Sequence, residues 1–493
     1  MSDIFDIVDV KDSFMWYFKQ ISSIPRGSGD NKRISDYLVS FAVSHGLKYV
    51  QDESLNVIIF KDASIGYENC PGVIIQGHMD MVCEKEEGSD HDFTTQGLEL
   101  AYEEGYVYAR KTTLGADDGI AVAYALAILA DDTLVHPSLE VVITTDEETG
   151  MDGAFALDTS ILHGKYMLNL DSEDEGIFLT SCAGGMNAVT SFPLTLKEAK
   201  GEVLTISVSG LTGGHSGSEI DKNRSNANII MGRILSSLKD KYYRINLAQI
   251  NGGMKDNAIP RSCCAKIVVD ERMTDIKETI GLICKEIISE LRFSEPNLCV
   301  DISVNKNDDN EDMWNTVMSP DCETHIIRYL MIVHDGVVKM SGAIPGLVET
   351  SLNLGVLKTY EEEIICTHSI RSSINSAKMA VFDKVNACAL ACGGQCTIKS
   401  QYPGWEYNEK SELRDEALRT YEKMTGKQGI AMAIHAGLEC GIIKSKLPGL
   451  DIISYGPDIK DIHTTKEKMD VASARRVYDF TVELIKNICD NME

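Results

Sequence analysis

Apolar residues recur along this chain with two periods, and the period changes with position. Over residues 30–45, Ile34, Leu38, Phe41 and Ala42 fall three or four apart, which predicts an amphipathic helix. Val73-Ile74-Ile75 is a short apolar run that ends in polar residues. Residues 119–130 predict an almost wholly apolar helix, and residues 139–145 and 166–170 predict further strands. Runs buried on both faces and separated by helices argue for a largely parallel sheet. The pattern returns near the C-terminus, with a helix over 412–425, a strand over 450–455 and a closing helix over 472–488.

The middle of the chain follows another plan. Residues 203–209 alternate as an antiparallel strand does, followed by a helix over 225–238, strands over 243–250 and 263–269, a helix over 276–291 and a strand over 299–304. That order, β-α-β-β-α-β, is the ferredoxin-like split unit. A second, less regular round is expected from a helix over 324–332, strands over 348–357 and 364–370, a helix over 378–392 and a strand over 395–400, although no residue-level repeat accompanies it. The expected architecture is therefore an α/β domain with a mostly parallel mixed sheet, interrupted by an α+β, ferredoxin-like domain in which the unit is duplicated.

Charge narrows the function. The chain carries 75 acidic against 47 basic residues, a formal charge of −28, so a nucleic acid or an anionic membrane would be repelled over most of the surface. The first residues, Met1-Ser2-Asp3-Ile4-Phe5-Asp6, are acidic where a secretion signal is basic, and the longest apolar-rich run, 119–130, is too short to span a bilayer. The expectation is a cytoplasmic protein. Its 14 cysteines are scattered and are read as reduced. Cys388, Cys392 and Cys396, spaced by four in or after an apolar helix, are read as core thiols rather than metal ligands.

Several polar clusters fall immediately after predicted strands: Gly77-His78-Met79-Asp80, Asp146-Glu147-Glu148-Thr149-Gly150, Asp171, and His463 in the loop after 450–455. Ligands of open α/β sheets bind outside the carboxyl ends of the strands, so groups far apart in sequence can meet there. Asp117, between glycines at the start of the apolar helix, joins them. Taken singly, His-x-Asp is more often a capped loop and Asp-Glu-Glu a solvated turn; their joint placement changes the balance. Two histidines and several carboxylates without cysteine suit zinc, manganese or cobalt. With Asp117 as the bridge between two divalent ions, Asp117, Glu148 and Asp171 offset three of four positive charges and a hydroxide the fourth. Glu147, left over beside a ligand, is the candidate general base, and Asp80 the carboxylate that orients His78.

The runs GHMDMV, LGADDGIAVAYALAIL, TTDEETGMDGAF and NLDSEDEG with SCAGG, and the late histidine, resemble the aminoacylase/carnosinase family of dinuclear zinc peptidases. GLTGGHSGSEI, NAIPR and AIHAGLECG narrow the resemblance to its aminoacyl-histidine dipeptidases, from about residue 10 to the C-terminus. The resemblance implies a catalytic domain of residues 1–185 and 403–493 with residues 186–402 as a lid. It implies two metal ions, most readily Zn2+ with Mn2+ or Co2+ as alternatives. His78 and Asp171 would hold one, Glu148 and His463 the other, and Asp117 both, with a cis Asp117–Asp118 peptide. Asp80 orients His78, and Glu147 activates the bridging hydroxide. His215 would polarise the scissile carbonyl with Asn257 beside it, Arg371 would clamp the substrate's carboxylate with Arg272 as runner-up, and Gly437 would meet the substrate through its backbone. Asp118 departs from the asparagine often found there; His435 and Glu439 stay unassigned.

The implied activity is hydrolysis of dipeptides, Xaa-His among them. The alternatives are the same chemistry on N-acyl amino acids or tripeptides, or a non-catalytic metal- or peptide-binding protein. The expected partner is a small peptide; a homodimer through the lid is left open.

Overall fold

The computed structural model describes residues 13–242, 244–269, 273–305 and 314–491. The acidic N-terminal residues, Tyr243 at the start of a predicted strand, and Arg272 lie outside the described residues. The chain divides into two units: Met1–Ser181 with Tyr407–Ala433 and Leu438–Glu493, and Cys182–Glu406 with Ile434–Gly437.

The first unit is built on an eight-stranded mixed sheet in the order Lys48–Gln51, Val57–Lys61, Leu139–Thr144, Val73–His78, Tyr166–Asn169, Asp451–Ser454, Ile177–Cys182, Ile430–Ile434. The four central strands, from Leu139–Thr144 to Asp451–Ser454, are parallel. Antiparallel pairs flank them, because Lys48–Gln51 and Val57–Lys61 are joined by a loop too short for a crossover. The sequence pattern anticipates the parallel centre but not these flanks.

The helix Ala116–Ala130 packs on Val73–His78 and against the helices Phe14–Ser22 and Val471–Asn491. Covered all round, it is buried from Asp118 to Leu129, which is why it shows no polar face in sequence. A small antiparallel sheet, ordered Ile459–Lys460, Lys468–Asp470, Tyr106–Ala109 and Leu100–Glu103, completes this unit and was not anticipated. Its strands are only 2 to 4 residues long, too short to show a period.

The second unit is built on a nine-stranded antiparallel sheet in the order Cys299–Asn305, Glu202–Ser209, Cys263–Val269, Leu247–Gly252, Val348–Thr359, Glu363–Ser372, Gly184–Pro193, Gln395–Tyr402, with Gly336–Met340 added beside Val348–Thr359, and two two-stranded sheets accompany it. In the first four, chain order runs fourth, first, third, second, the arrangement of a split β-α-β-β-α-β unit. The remaining four repeat it when Gly184–Pro193 is counted as the first strand. The whole 202–305 stretch is thus inserted after that strand, which explains the irregular second round in the sequence.

Candidate metal centre

The site is assembled at the carboxyl ends of the central parallel strands. His78 is the last residue of Val73–His78, and Asp171 follows Tyr166–Asn169 by one residue. Glu147 and Glu148 form the first turn of the short helix Glu147–Gly150 after Leu139–Thr144. Asp117 lies in the non-helical start of Ala116–Ala130 (φ −77°, ψ 110°), and the Asp117–Asp118 peptide is cis. His463 sits within the small antiparallel sheet, in the loop between Ile459–Lys460 and Lys468–Asp470, rather than directly at the end of a parallel strand.

Asp117 lies between the two histidines. Its Oδ1 is 3.2 Å from His78 Nε2, and its Oδ2 is 3.1 Å from His463 Nε2. His463 Nε2 is also 3.0 Å from Glu148 Oε1, and His78 Nε2 is 3.8 Å from Asp171 Oδ1. Asp80 Oδ1 stands 3.4 Å from Nδ1 of His78 and accepts the Glu147 N–H at 3.2 Å, while its Oδ2 accepts from Ser28 Oγ at 2.8 Å. Three groups each bring one ligand atom per residue within 4.8 Å of one another: His78 with Asp118 and Asp171, His78 with Glu147 and Glu148, and Asp117 with Glu148 and His463.

This donor set fits divalent cations. With Nδ1 of His78 turned to Asp80, Nε2 faces carboxylate oxygens, an arrangement that is repulsive for a neutral ring unless a metal ion lies between them or the nitrogen itself carries a proton. Two carboxylates 4.8 Å apart repel by about 3 kcal/mol at an effective dielectric constant of about 20. No lysine or arginine among the described residues pairs with Asp117, Glu148 or Asp171 to relieve this.

The same crowding sets the protonation of the protein groups. Burial would depress His78, but Asp117 and Asp80 override it and raise its pKa well above the usual value. The bonds to Asp117 and Glu148 push His463 up to about 11. Burial, reinforced by Glu439 and Glu148, pushes the Glu147 carboxyl up to about 8, into the range of a group that takes up a proton at neutral pH. Burial also raises Asp171 and Asp118 well above the carboxylate range.

Three buried residues hold these loops: Glu467 and Arg26, which the sequence reading passed over, and Glu439, which it left unassigned. Glu467 accepts the N–H groups of Leu114 (2.8 Å), Gly115 (3.0 Å), Ala116 (2.8 Å) and Asp117 (3.5 Å), and Gly115 turns there with φ 64°. Arg26 donates from Nη1 to the carbonyls of Met79 (3.1 Å) and Asp80 (3.2 Å) and from Nη2 to that of Gly115, tying the His78 loop to the Asp117 loop. Glu439 accepts from Gln76 Nε2 at 2.5 Å and Thr144 Oγ1 at 2.6 Å beneath the strand ends. The one available signal was for Glu439, which lies in the AIHAGLECG motif; Arg26 and Glu467 sit in loops of ordinary polar composition.

In the second unit, His215 pairs with Ala258, and Ser216 N–H donates to the Asn257 carbonyl at 2.9 Å, so Asn257 lies beside the His215 loop. His215 Nδ1 accepts the N–H groups of Gly217 (3.3 Å) and Ser218 (3.1 Å). Its proton therefore belongs on Nε2, which makes that nitrogen a donor. Burial and then Arg371 lower the His215 pKa, which keeps the ring neutral. A side chain at Gly217 would meet His215 Cε1 at 2.9 Å and Arg371 Nε at 3.2 Å, so both groups border one small space. The group that closes on Gly437 is the ring of Tyr402, 2.8 Å from where a Cβ would stand.

Cys388, Cys392 and Cys396 are free thiols, with Cys392 buried and the other two half-buried. No helix among the described residues is long and apolar enough to cross a membrane.

Strand ends, a helix start and a loop that bring two histidines and several carboxylates to one point, with an ordered polar framework behind them, define a metallohydrolase class of site. The chain belongs to the peptidase family M20/M25/M40, whose profile it matches over residues 74–487. It is 35% identical over 474 residues, 96% of each chain, to the cytosol non-specific dipeptidase of Escherichia coli. Its fold superposes with a TM-score of 0.89 on aminoacylhistidine dipeptidase from Vibrio alginolyticus, 34% identical with 98% of each chain covered. A tripeptidase from Staphylococcus aureus shares the fold at a TM-score of 0.57 and 17% identity, over 97% of this chain and 98% of the other.

Proposed function

We propose that the protein is a metal-dependent dipeptidase of the cytoplasm that cleaves dipeptides with a free C-terminal carboxylate, Xaa-His among them. The observation that carries this reading is Asp117, whose two oxygens face two different histidines, each backed by a further carboxylate. His78 and Asp171 would hold one ion, Glu148 and His463 the other, and Asp117 both; zinc would suit this set best, with manganese or cobalt as alternatives. When bound, the pair of ions supplies Lewis acidity toward the scissile carbonyl and toward water.

The protein's own groups do the rest. Asp80 fixes the His78 ring through Nδ1. The Glu147 carboxylate accepts the proton of the attacking water and returns it to the leaving amine. His215 donates its Nε2–H to the developing oxyanion, helped by Asn257, and Arg371 pairs with the C-terminal carboxylate. His215 and Arg371 border the same space beside Gly217, which supports a substrate whose scissile carbonyl and terminal carboxylate are one residue apart. We read the repeated strand order of the second unit as a duplication. The names of the Escherichia coli and Vibrio alginolyticus proteins support the dipeptide class, and that of the Escherichia coli protein the cytosol.

The test is metal analysis of the purified protein with a panel of dipeptides, tripeptides and N-acyl amino acids. The expected result is about two divalent ions per chain, hydrolysis of dipeptides above all, and loss of activity on chelation with recovery on adding zinc or manganese. Preference for N-acyl amino acids, or binding without turnover, would overturn the reading.

A further inference from the structure

Four residues line up across adjacent strands of the second unit. Ser351 pairs with Arg371, Arg371 with Gly185, and Gly185 with Tyr402. Residues directly opposite on neighbouring strands present their side chains to the same face. Gly185 has none, so the Tyr402 ring lies in the space above it: a Cβ at Gly185 would be 2.4 Å from that ring. Gly437 leaves the ring's other boundary open in the same way, at 2.8 Å. Lys378, buried, donates to the Tyr402 carbonyl and anchors its backbone.

Seated in this slot, the Tyr402 hydroxyl accepts a hydrogen bond from Arg371 Nη1 at 3.1 Å. Arg371 is only 8% exposed, and its Nε–H has no partner. A buried, unpartnered donor on a cation is costly unless an anion completes it. Arginine offers carboxylates a two-pronged face, and the edge carrying Nε is the one Tyr402 leaves free.

We propose that Tyr402 is a positioning residue for substrate binding: its hydroxyl, seated over Gly185 and against Gly437, fixes the Arg371 guanidinium so that the Nε edge receives the substrate's C-terminal carboxylate. This rests on the reading of Arg371 as the carboxylate clamp. Tyr402 does not touch the substrate; it sets the angle of the group that does, and the glycine at 185 is what lets it reach.

The experiment compares Tyr402→Phe, Arg371→Ala and the double variant, each with metals bound, on alanyl-histidine and its C-terminal amide. Phenylalanine keeps the ring in its slot, so the variant should fold and bind metals as the parent does, with a melting temperature lowered only modestly by the unpaired Nη1–H. The expected result for Tyr402→Phe is a KM about tenfold higher for the free acid, the loss of one hydrogen bond to a charged group. Its kcat should stay within about twofold, and the amide should be unaffected. In the Arg371→Ala background, removing the hydroxyl should add nothing. An unchanged KM, equal losses on acid and amide, or a further loss in the double variant would overturn the role of Tyr402 while leaving the clamp intact. If Arg371→Ala itself treats acid and amide alike, the clamp reading fails, and the Tyr402 proposal is overturned with it.

Discussion

The carboxylate of Glu467 receives the backbone N–H of Ala116 at 2.8 Å, across 351 residues of sequence. The same carboxylate takes three neighbouring N–H groups and so shapes the turn that presents Asp117. Glu467→Ala would leave buried donors unpaired, at about 1–3 kcal/mol each. Both metal affinity and melting temperature should fall, and Glu467→Gln, which keeps one acceptor oxygen, should lose less. Metal titration followed by calorimetry checks this; an unchanged affinity in the alanine variant would remove Glu467 from the framework.

Glu147 faces the site without belonging to the proposed ligand set. Glu147→Gln preserves its volume and removes its basicity, so kcat should drop by roughly 10²–10⁴ with both metals retained. Near-normal turnover at full metal content would assign the base elsewhere.

Asp117 and Asp118 are neighbours with opposite expected sensitivities. Asp117→Ala removes the carboxylate between His78 and His463, and metal content should fall toward one ion or none. Asp118 accepts the His78 N–H through Oδ2 at 3.2 Å, and burial holds its carboxyl toward the neutral form. Asparagine supplies the same acceptor, so Asp118→Asn should keep metal content and kcat close to the parent. Elemental analysis beside steady-state kinetics separates the two; a metal-free Asp118→Asn protein would show that its charge is needed.

His215→Ala should lower kcat by about 10²–10³, the usual loss of one oxyanion donor, and spare metal content. Mixing His215→Ala with Glu147→Gln protein under proven subunit exchange tests whether a homodimer forms in which the histidine serves the partner subunit. Restored activity would place it in trans; no restoration, with exchange demonstrated, would place it in cis.

His368 is buried in the second unit with Nε2 2.7 Å from the Tyr329 hydroxyl, and burial depresses its pKa to about 3. The unfolded chain binds the proton near the ordinary histidine value, whereas the native protein does not until about pH 3. Stability from this group is therefore present above about pH 6.5 and lost as pH falls toward 3. His368→Gln should flatten that part of the stability curve, measured by denaturant midpoints across pH. An equally steep acid limb in the variant would assign the loss to other groups.

Much of this molecule is legible in one dimension. The helix over 412–425 is found as Glu412–Thr425, and the strand over 263–269 as Cys263–Val269, because a period of apolar residues reports directly which face is buried. The polar residues at the ends of the central strands stand out for a similar local reason: an apolar run that stops at histidine or aspartate marks where a parallel strand leaves the core. The motifs around His78, Asp117, Glu148 and Asp171 also carry the family resemblance in the sequence alone. Tertiary structure alone decided what pairs across long separations. Arg26 bridges two loops through backbone carbonyls, Glu467 caps a turn from the far end of the chain, and Tyr402 reaches Arg371, two strands away, over the glycine of the strand between. None of these carries a period or a spacing of its own. Each depends on strand register and on which buried donor meets which acceptor, and those relationships exist only once the chain has folded.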